Sequence, residues 1–281
     1  MCKKISSAPT SLCSEDILQD RSRFRVKKVL FLLLFLLFDF LSFSYDYSCI
    51  KVVEVIDGDT VRLENGEILR YIGIDTPELK KKVGGEWVYN PSPFALEAKE
   101  YNRRLVGGKY VRVEFDVEER DAYGRLLGYI FVGKTFVNAK LLEEGLAVLY
   151  TRPPNVKYVD LFVKLQRKAR KEKKGLWGSY EVIGAHQAYK FINQIRTVRG
   201  KVLSTYRSRN CIFLNFGRDW KKDFTVVIFK DTWDYFKKRR IDPVVFYENK
   251  IVEVTGRIRE YNGPEIIVSL PEQITVLDKN E

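Results

Sequence analysis

The sequence predicts a mainly β protein with helices, folded as two consecutive five-stranded barrels. Three observations predict it. Apolar and polar residues alternate in 50–56, 60–64 and 68–74, the period of half-buried strands. Asp57-Gly58 and Asn65-Gly66 stand between those runs, and both dipeptides accept positive φ and close tight hairpins. A second series of strand-like runs, 200–204, 211–216, 224–229, 251–260 and 265–270, follows later. With 281 residues and 45% apolar content, the chain can bury two modest cores.

The first three runs make an antiparallel sheet. If Asn65-Gly66 is a two-residue loop, Asp59 lies nearly opposite Ile72, and Arg70 shares that face. Asp75 falls just past the third strand, roughly 10 Å or less from Asp59 by strand rise. A bend there brings both carboxylates to one ion. Thr76, Pro77 and Glu78 suit a helix or turn start as cap, first-turn proline and acid at the positive dipole end. Residues 79–93, with Gly84-Gly85 and two prolines, read as a mobile loop.

A helix over 94–106 is stopped by Gly107-Gly108, and strands 110–117 and 126–131 flank the turn Asp121-Ala-Tyr-Gly-Arg125. Helices follow at 138–146 and 155–174. The second ends in Arg167, Lys168, Arg170, Lys171, Lys173 and Lys174, a solvated face first and a nucleic-acid contact second. Residues 181–199 form a connector with helical character.

The net charge of +12 favours a polyanionic partner, although a basic surface can also be merely solvated. Arg21, Arg23, Arg25, Lys27 and Lys28 precede the apolar run 29–38, and Ser42-Phe43-Ser44 follows. That is the order of a secretory signal peptide. The run is short for a bilayer span and Asp39 interrupts it. Residues 1–48 are therefore read as an export segment, giving a secreted or periplasmic protein without a membrane span. Tethering by an uncleaved segment is the alternative. Beyond it only Cys49 and Cys211 remain, either one disulfide or two unrelated thiols. With no CxxC pair or Cys/His cluster, zinc is excluded. The lone histidine, His186, lies outside the motif-bearing region. Proton transfer must then use a carboxylate, a metal-bound water, or both.

Each short motif alone is ambiguous, since DG is usually a turn, TPE a helix start and YGR a hairpin. Together, DGDT from Asp57, Arg70-x4-DTPE through Glu78, and Asp121-x-YGR ending at Arg125 resemble the staphylococcal nuclease (thermonuclease) family over 51–177. The resemblance implies an oligonucleotide-binding barrel over 49–180, which the strand pattern also suits. It implies that Asp59, Asp75 and the backbone carbonyl of Thr76 hold one calcium ion. Such all-oxygen ligation suits a hard divalent cation. Arg70 and Arg125 would clamp the phosphate, Glu78 would accept or orient the attacking water's proton, and Tyr123 would lie near the terminal phosphate. The implied activity is endonucleolytic hydrolysis of DNA or RNA leaving 3′-phosphates. After GLA the family usually offers two spaced tyrosines, whereas GLAVLYTRPPN presents Tyr150 and Arg152. Tyr150 keeps a base-packing role in this reading, and Arg152 substitutes charge for stacking.

The second barrel, 200–281, shows five strands with a basic helix at 231–240, and VEVTGRIREYNGPEIIVSLPEQI resembles the last strands of oligonucleotide-binding domains. Tyr206, Arg207, Arg209, Phe213 and Trp220 either bind single strands by stacking and charge, or belong to the core of a spacer or protein-docking module. The whole chain is then either a calcium-dependent nuclease or a non-catalytic binding protein on the same fold. Degenerate copies lose acidic or arginine positions, and this chain keeps Asp59, Arg70, Asp75, Glu78 and Arg125.

Overall fold

The period-two pattern that starts at Ile50 builds the first strand, and a bulge resets it. The structure is a computed structural model that describes residues 45–277. The export reading of 1–48 lies almost wholly outside the described residues. In β1 (Ile50–Val55) Ile50, Val52 and Val55 point inward. The register against β2 (Thr60–Leu63) shifts between Val52 and Glu54, so Val53 and Glu54 both face solvent and Val55 returns to the core.

Strand β3 (Ile68–Tyr71) pairs with β2, Thr60 opposite Arg70. Leu63 N donates to Glu67 O and Gly66 N to Leu63 O, each at 2.9 Å, so the turn spans three residues and not the expected two. Gly66 takes the left-handed residue at φ 85°. Asp59 therefore lies opposite Tyr71, whose N–H donates to Asp59 O at 2.9 Å, one residue from the expected partner Ile72.

The expected third strand breaks at Gly73, φ 84°. Beyond it β4 (Gly73–Asp75) leaves the barrel to pair later with another strand. Residues 79–93 are not simply loop. Strands β5 (Lys80–Val83) and β6 (Glu86–Tyr89) form an antiparallel hairpin, because Gly84 and Gly85 both adopt positive φ and close it. Trp87 and Tyr89 stand exposed on it.

Helix α1 (Ala95–Val106) buries Ala95, Ala98, Asn102 and Val106. Strands β7 (Tyr110–Glu114) and β8 (Leu126–Val132) follow, with β9 (Thr135–Phe136) beside β8. The sheet runs β3-β2-β1-β7-β8-β9, and parallel pairing of β3 with β8 closes five strands into a barrel. Closure leaves those strands no free edge.

Helix α2 (Val137–Glu143) buries Asn138 completely. Its side-chain oxygen accepts from Ile130 N at 3.0 Å and its amide donates to Ile72 O at 2.9 Å, pinning β8 to the residue before the Gly73 bend. Strand β10 (Val148–Tyr150) pairs with β4, Val148 opposite Asp75. Helix α3 (Val159–Lys171) lays Phe162, Val163 and Ala169 inward. Half of its basic tail is paired: Arg170 with Glu253, Lys168 with Glu143 and Lys174 with Glu144. That leaves less of a free cationic face than the sequence suggests.

The expected helical connector is a short strand β11 (Ile183–Gly184) and a 3-10 helix, Ala185–Phe191, carrying His186 exposed. Ile195 already begins β12 (Ile195–Lys201), so the last residues of the expected connector are strand. The strands β13 (Ser204–Arg207), β14 (Cys211–Asn215) and β15 (Thr225–Phe229) follow, then helix α4 (Trp233–Lys238). After it come β16 (Ile251–Arg257), β17 (Arg259–Glu260), β18 (Pro264–Ile267) and β19 (Ile274–Leu277). They form one sheet β11-β12-β16-β19 and another β13-β14-β15-β18-β17, in which β15 and β18 run parallel.

The C-terminal strands enclose their own core around Phe224, Phe236, Tyr247 and Val254. Among the described residues, 47–277 nevertheless form one compact unit, and Leu270 from the C-terminal half is sealed within the first core. Cys49 is exposed, Cys211 half-buried, and both are free thiols. Among the described residues no helix is long and apolar enough to cross a membrane.

Candidate active site

The site begins at the turn between β1 and β2. Ile56 N donates to Thr60 O at 3.0 Å, and Asp57 Oδ1 accepts from Asp59 N at 3.1 Å. Gly58 does not use positive φ here, contrary to the hairpin expectation. A Cβ on it would lie 2.7 Å from Thr76 Oγ1 and 2.8 Å from the Ala98 methyl, so glycine lets the turn press against the next wall of the site.

That pressure buries Asp59 against Thr76. Asp59 Oδ2 accepts from Thr76 N at 2.8 Å, and Oδ1 accepts from Thr60 Oγ1 at 3.1 Å and pairs with Arg70 Nη1. Arg70 reaches across from β3. Its Nη2 donates to Asp75 Oδ1 at 2.9 Å and to Ile74 O at 3.3 Å. One guanidinium fork thus spans the two carboxylates, the planar geometry for which arginine is suited. The Gly73 bend makes this possible, since a straight continuation of β3 would carry Asp75 away along the strand.

Glu78 sits at the rim, its side chain 41% exposed. Burial raises its carboxyl above the ordinary glutamate value despite the opposing pull of Arg257, with Asp75 and Asp57 adding to the rise. For Asp75 burial also pushes upward, but Arg257 and Arg70 outweigh it and hold the carboxyl low. Asp57 is raised by burial against the pull of Arg70, with Asp75 adding to the rise.

The structure brings Asp59, Arg70, Asp75, Thr76 and Glu78 together. Arg125 stands apart, paired with Asp121 at 2.7 Å and 5.6 Å from the ring centroid of Tyr123, though its charge still reaches Asp57. Tyr123 is 87% exposed. Tyr150 is half-buried, with its hydroxyl accepting from Arg259 Nη2 at 3.2 Å, and Arg152 points to solvent.

Two participants escaped sequence reasoning. Asp57 read only as a turn residue, although its two-residue spacing from Asp59 places a third acid beside the pair. Arg257, at the end of β16, has a side chain only 12% exposed. Its Nε donates to Asp75 Oδ2 at 2.9 Å and its Nη2 to Thr76 O at 2.7 Å, while Nη2 also lies 3.3 Å from Glu78 Oε1. No local signal marks it, because every one of these partners is about 180 residues upstream.

The matches to known proteins agree with this geometry. Residues 68–179 match the model of the family described as staphylococcal nuclease homologue. The thermonuclease of Staphylococcus hyicus is 39% identical over 133 residues, 46% of this chain and 75% of that protein. The chain belongs to the staphylococcal nuclease family. The thermonuclease of Staphylococcus intermedius is 37% identical over 130 residues, 45% of this chain and 74% of its own length. The SPbeta prophage-derived endonuclease YokF of Bacillus subtilis is 41% identical over 127 residues, 43% of this chain and 41% of that protein. The family match ends at residue 179, so Arg257 lies outside it.

The donor set fits the calcium ion that the family implies. Asp59, Asp75 and the Thr76 carbonyl offer hard oxygens only. The same oxygens already attract positive charge, since a guanidinium rests on Asp75 and Thr76. Among the described residues no group of three or more His, Cys, Asp or Glu is placed to hold a metal ion by side chains alone. A set of two carboxylates and a carbonyl leaves positions open to solvent and substrate.

Proposed function

We propose that this protein is an exported, calcium-dependent endonuclease that hydrolyses phosphodiester bonds of DNA, RNA or both and leaves 3′-phosphate ends. One observation carries the reading: two carboxylates, a backbone carbonyl, a half-buried glutamate and a bridging arginine converge within one barrel. The names of the family relatives, thermonuclease and endonuclease, point the same way. Export rests on the basic-then-apolar order of residues 21–38.

In this reading Asp59, Asp75 and the Thr76 carbonyl hold calcium. Bound there, the ion supplies positive charge to a phosphoryl oxygen. Arg70, already oriented by its two carboxylates, and Arg125, at the mouth, hold the remaining phosphate oxygens through bonds that persist at any working pH. Glu78 accepts the proton of the attacking water at a carboxylate oxygen. Its raised affinity for protons matches it to that task near neutrality better than a fully solvated glutamate. Tyr123 and Tyr150 flank the substrate's terminal phosphate and base, and Arg152 adds charge beyond them.

We read residues 49–180 as the nuclease domain, 181–199 as a connector and 200–281 as a second oligonucleotide-binding barrel. The parallel pairing of β15 with β18, which repeats that of β3 with β8, supports the second barrel. Tyr206 and Trp220 are exposed there, with Phe213 half-buried and stacked on Tyr206 at 6.3 Å. These outward rings favour single-strand binding over a purely structural role.

The test is cleavage of denatured DNA and matched RNA with calcium and with a chelator, followed by end analysis. Cleavage is expected to need calcium and to leave ends that a polymerase extends only after phosphatase treatment. Undiminished cleavage under chelator rejects the metal assignment.

A further inference from the structure

Arg257 is no loose surface arginine. Its strand is tied to the nuclease half by Glu253, which pairs with Arg170 of α3 and accepts from Arg199 Nη2 at 2.6 Å. Its remaining nitrogen, Nη1, donates to Asn193 O at 3.0 Å. Gly256 beside it packs so closely that a Cβ would lie 2.7 Å from the Ile266 side chain. Two residues on, Arg259 reaches Tyr150. The guanidinium is therefore held from both sides, with its charge aimed at the oxygens of Asp75, Thr76 and Glu78.

Those are the oxygens assigned to calcium and to the base. A calcium ion ligates oxygen at about 2.4 Å. Thr76 O lies 2.7 Å from Arg257 Nη2, so an ion on that carbonyl would lie no more than about 5 Å from the guanidinium nitrogen. A dication and a guanidinium that close, in a largely buried site, repel strongly. They also compete for the same lone pairs on Asp75 Oδ2 and Thr76 O.

We propose that Arg257 is a built-in competitor for the divalent-cation site, an autoinhibitory contact by which the C-terminal half holds the nuclease latent until an ion displaces it. The contact does three things together. It neutralises Asp75, one of the two carboxylate ligands, occupies the Thr76 carbonyl and pairs the carboxylate that accepts the proton. Ion binding must therefore withdraw Arg257, loosening the end of β16 and the Asn193 segment that anchors it.

This inference rests on the calcium assignment of the proposed function, and the experiment separates the two. Full-length protein and the variants Arg257→Gln and Asp75→Asn are titrated with calcium by calorimetry, without nucleic acid. Arg257→Gln is expected to bind calcium at least tenfold more tightly than the unaltered chain, and Asp75→Asn to lose binding. Hydrogen exchange of the unaltered chain is followed in parallel, so a variant that fails to fold does not remove the test. Amides near 193–197 and 251–257 are expected to exchange faster when calcium is bound. Equal or weaker affinity in a folded Arg257→Gln, or exchange unchanged by calcium, overturns the latch while the metal assignment stands. No calcium uptake by either the unaltered chain or Arg257→Gln overturns the metal assignment as well.

Discussion

Replacing Gly73 with alanine tests whether one backbone bend builds the site. Gly73 adopts φ 84°, and a Cβ placed there would sit 2.4 Å from Cε2 and 2.7 Å from Cδ2 of Phe162. The left-handed conformation costs a non-glycine residue about 1–2 kcal/mol. Phe162 is 1% exposed and packed among Tyr129, Phe136 and Tyr158, so it cannot simply swing aside. Overpacking of this kind adds about 1–3 kcal/mol. Gly73→Ala should therefore lose about 2–5 kcal/mol, and at roughly 2–4 °C per kcal/mol for a chain of this size its Tm should fall by about 5–20 °C. Urea unfolding followed by circular dichroism gives the free energy. Adding Phe162→Leu should relieve the steric part and leave the φ cost, so the double variant should be less damaged than the sum by up to about 1–3 kcal/mol. Because β4 carries Asp75 two residues on, turnover should fall along with stability. A loss under about 1 kcal/mol for Gly73→Ala, or strict additivity with Phe162→Leu, would refute the argument.

Asn138→Ala should cost about 2–4 kcal/mol by chemical denaturation, since it leaves the buried Ile130 N–H and Ile72 carbonyl without their partner; a smaller loss would show that water replaces it. Glu78→Gln and Arg125→Ala should each lower turnover by about a hundredfold or more with the circular dichroism spectrum unchanged, and wild-type rates would remove either residue from the chemistry. The proton acceptor must be ionised, and burial raises Glu78. Activity should therefore decline as pH falls through a value above the ordinary glutamate range, and Glu78→Gln should flatten that acid limb in a pH-rate profile. Tyr206→Ala and Trp220→Ala should each weaken binding of a long single strand by about 1–3 kcal/mol in fluorescence polarisation, whereas unchanged affinity would favour a spacer role for the C-terminal strands.

What the sequence made legible is local. The two-residue period places Asp59 and Arg70 on one face with Asp75 just beyond, and the structure gathers them with Glu78; their roles came from the family resemblance of the combined motifs, since each motif alone reads as an ordinary turn or helix start. The three-residue turn at Asn65-Gly66 shifted one pairing, from Ile72 to Tyr71, because the same dipeptide serves both turn lengths. The β5–β6 hairpin was hidden for a related reason. Glycines and prolines mark a change of direction without saying whether the flanks pair. Nothing local could reveal Arg257, whose partners are chosen by how β16 docks on the nuclease half. The pairing of Lys168, Arg170 and Lys174 was not legible either, because Glu143, Glu144 and Glu253 come to them from other elements.

Leu270 bears on any attempt to trim this chain to a minimal nuclease. It sits 1% exposed among residues of the first barrel. A fragment ending at Tyr180 would begin with a hole in its hydrophobic interior, and a vacated leucine site costs about 2–5 kcal/mol. Proteolytic nicking within 181–199 should accordingly leave two pieces that stay clasped and copurify, parting only when the first barrel itself melts.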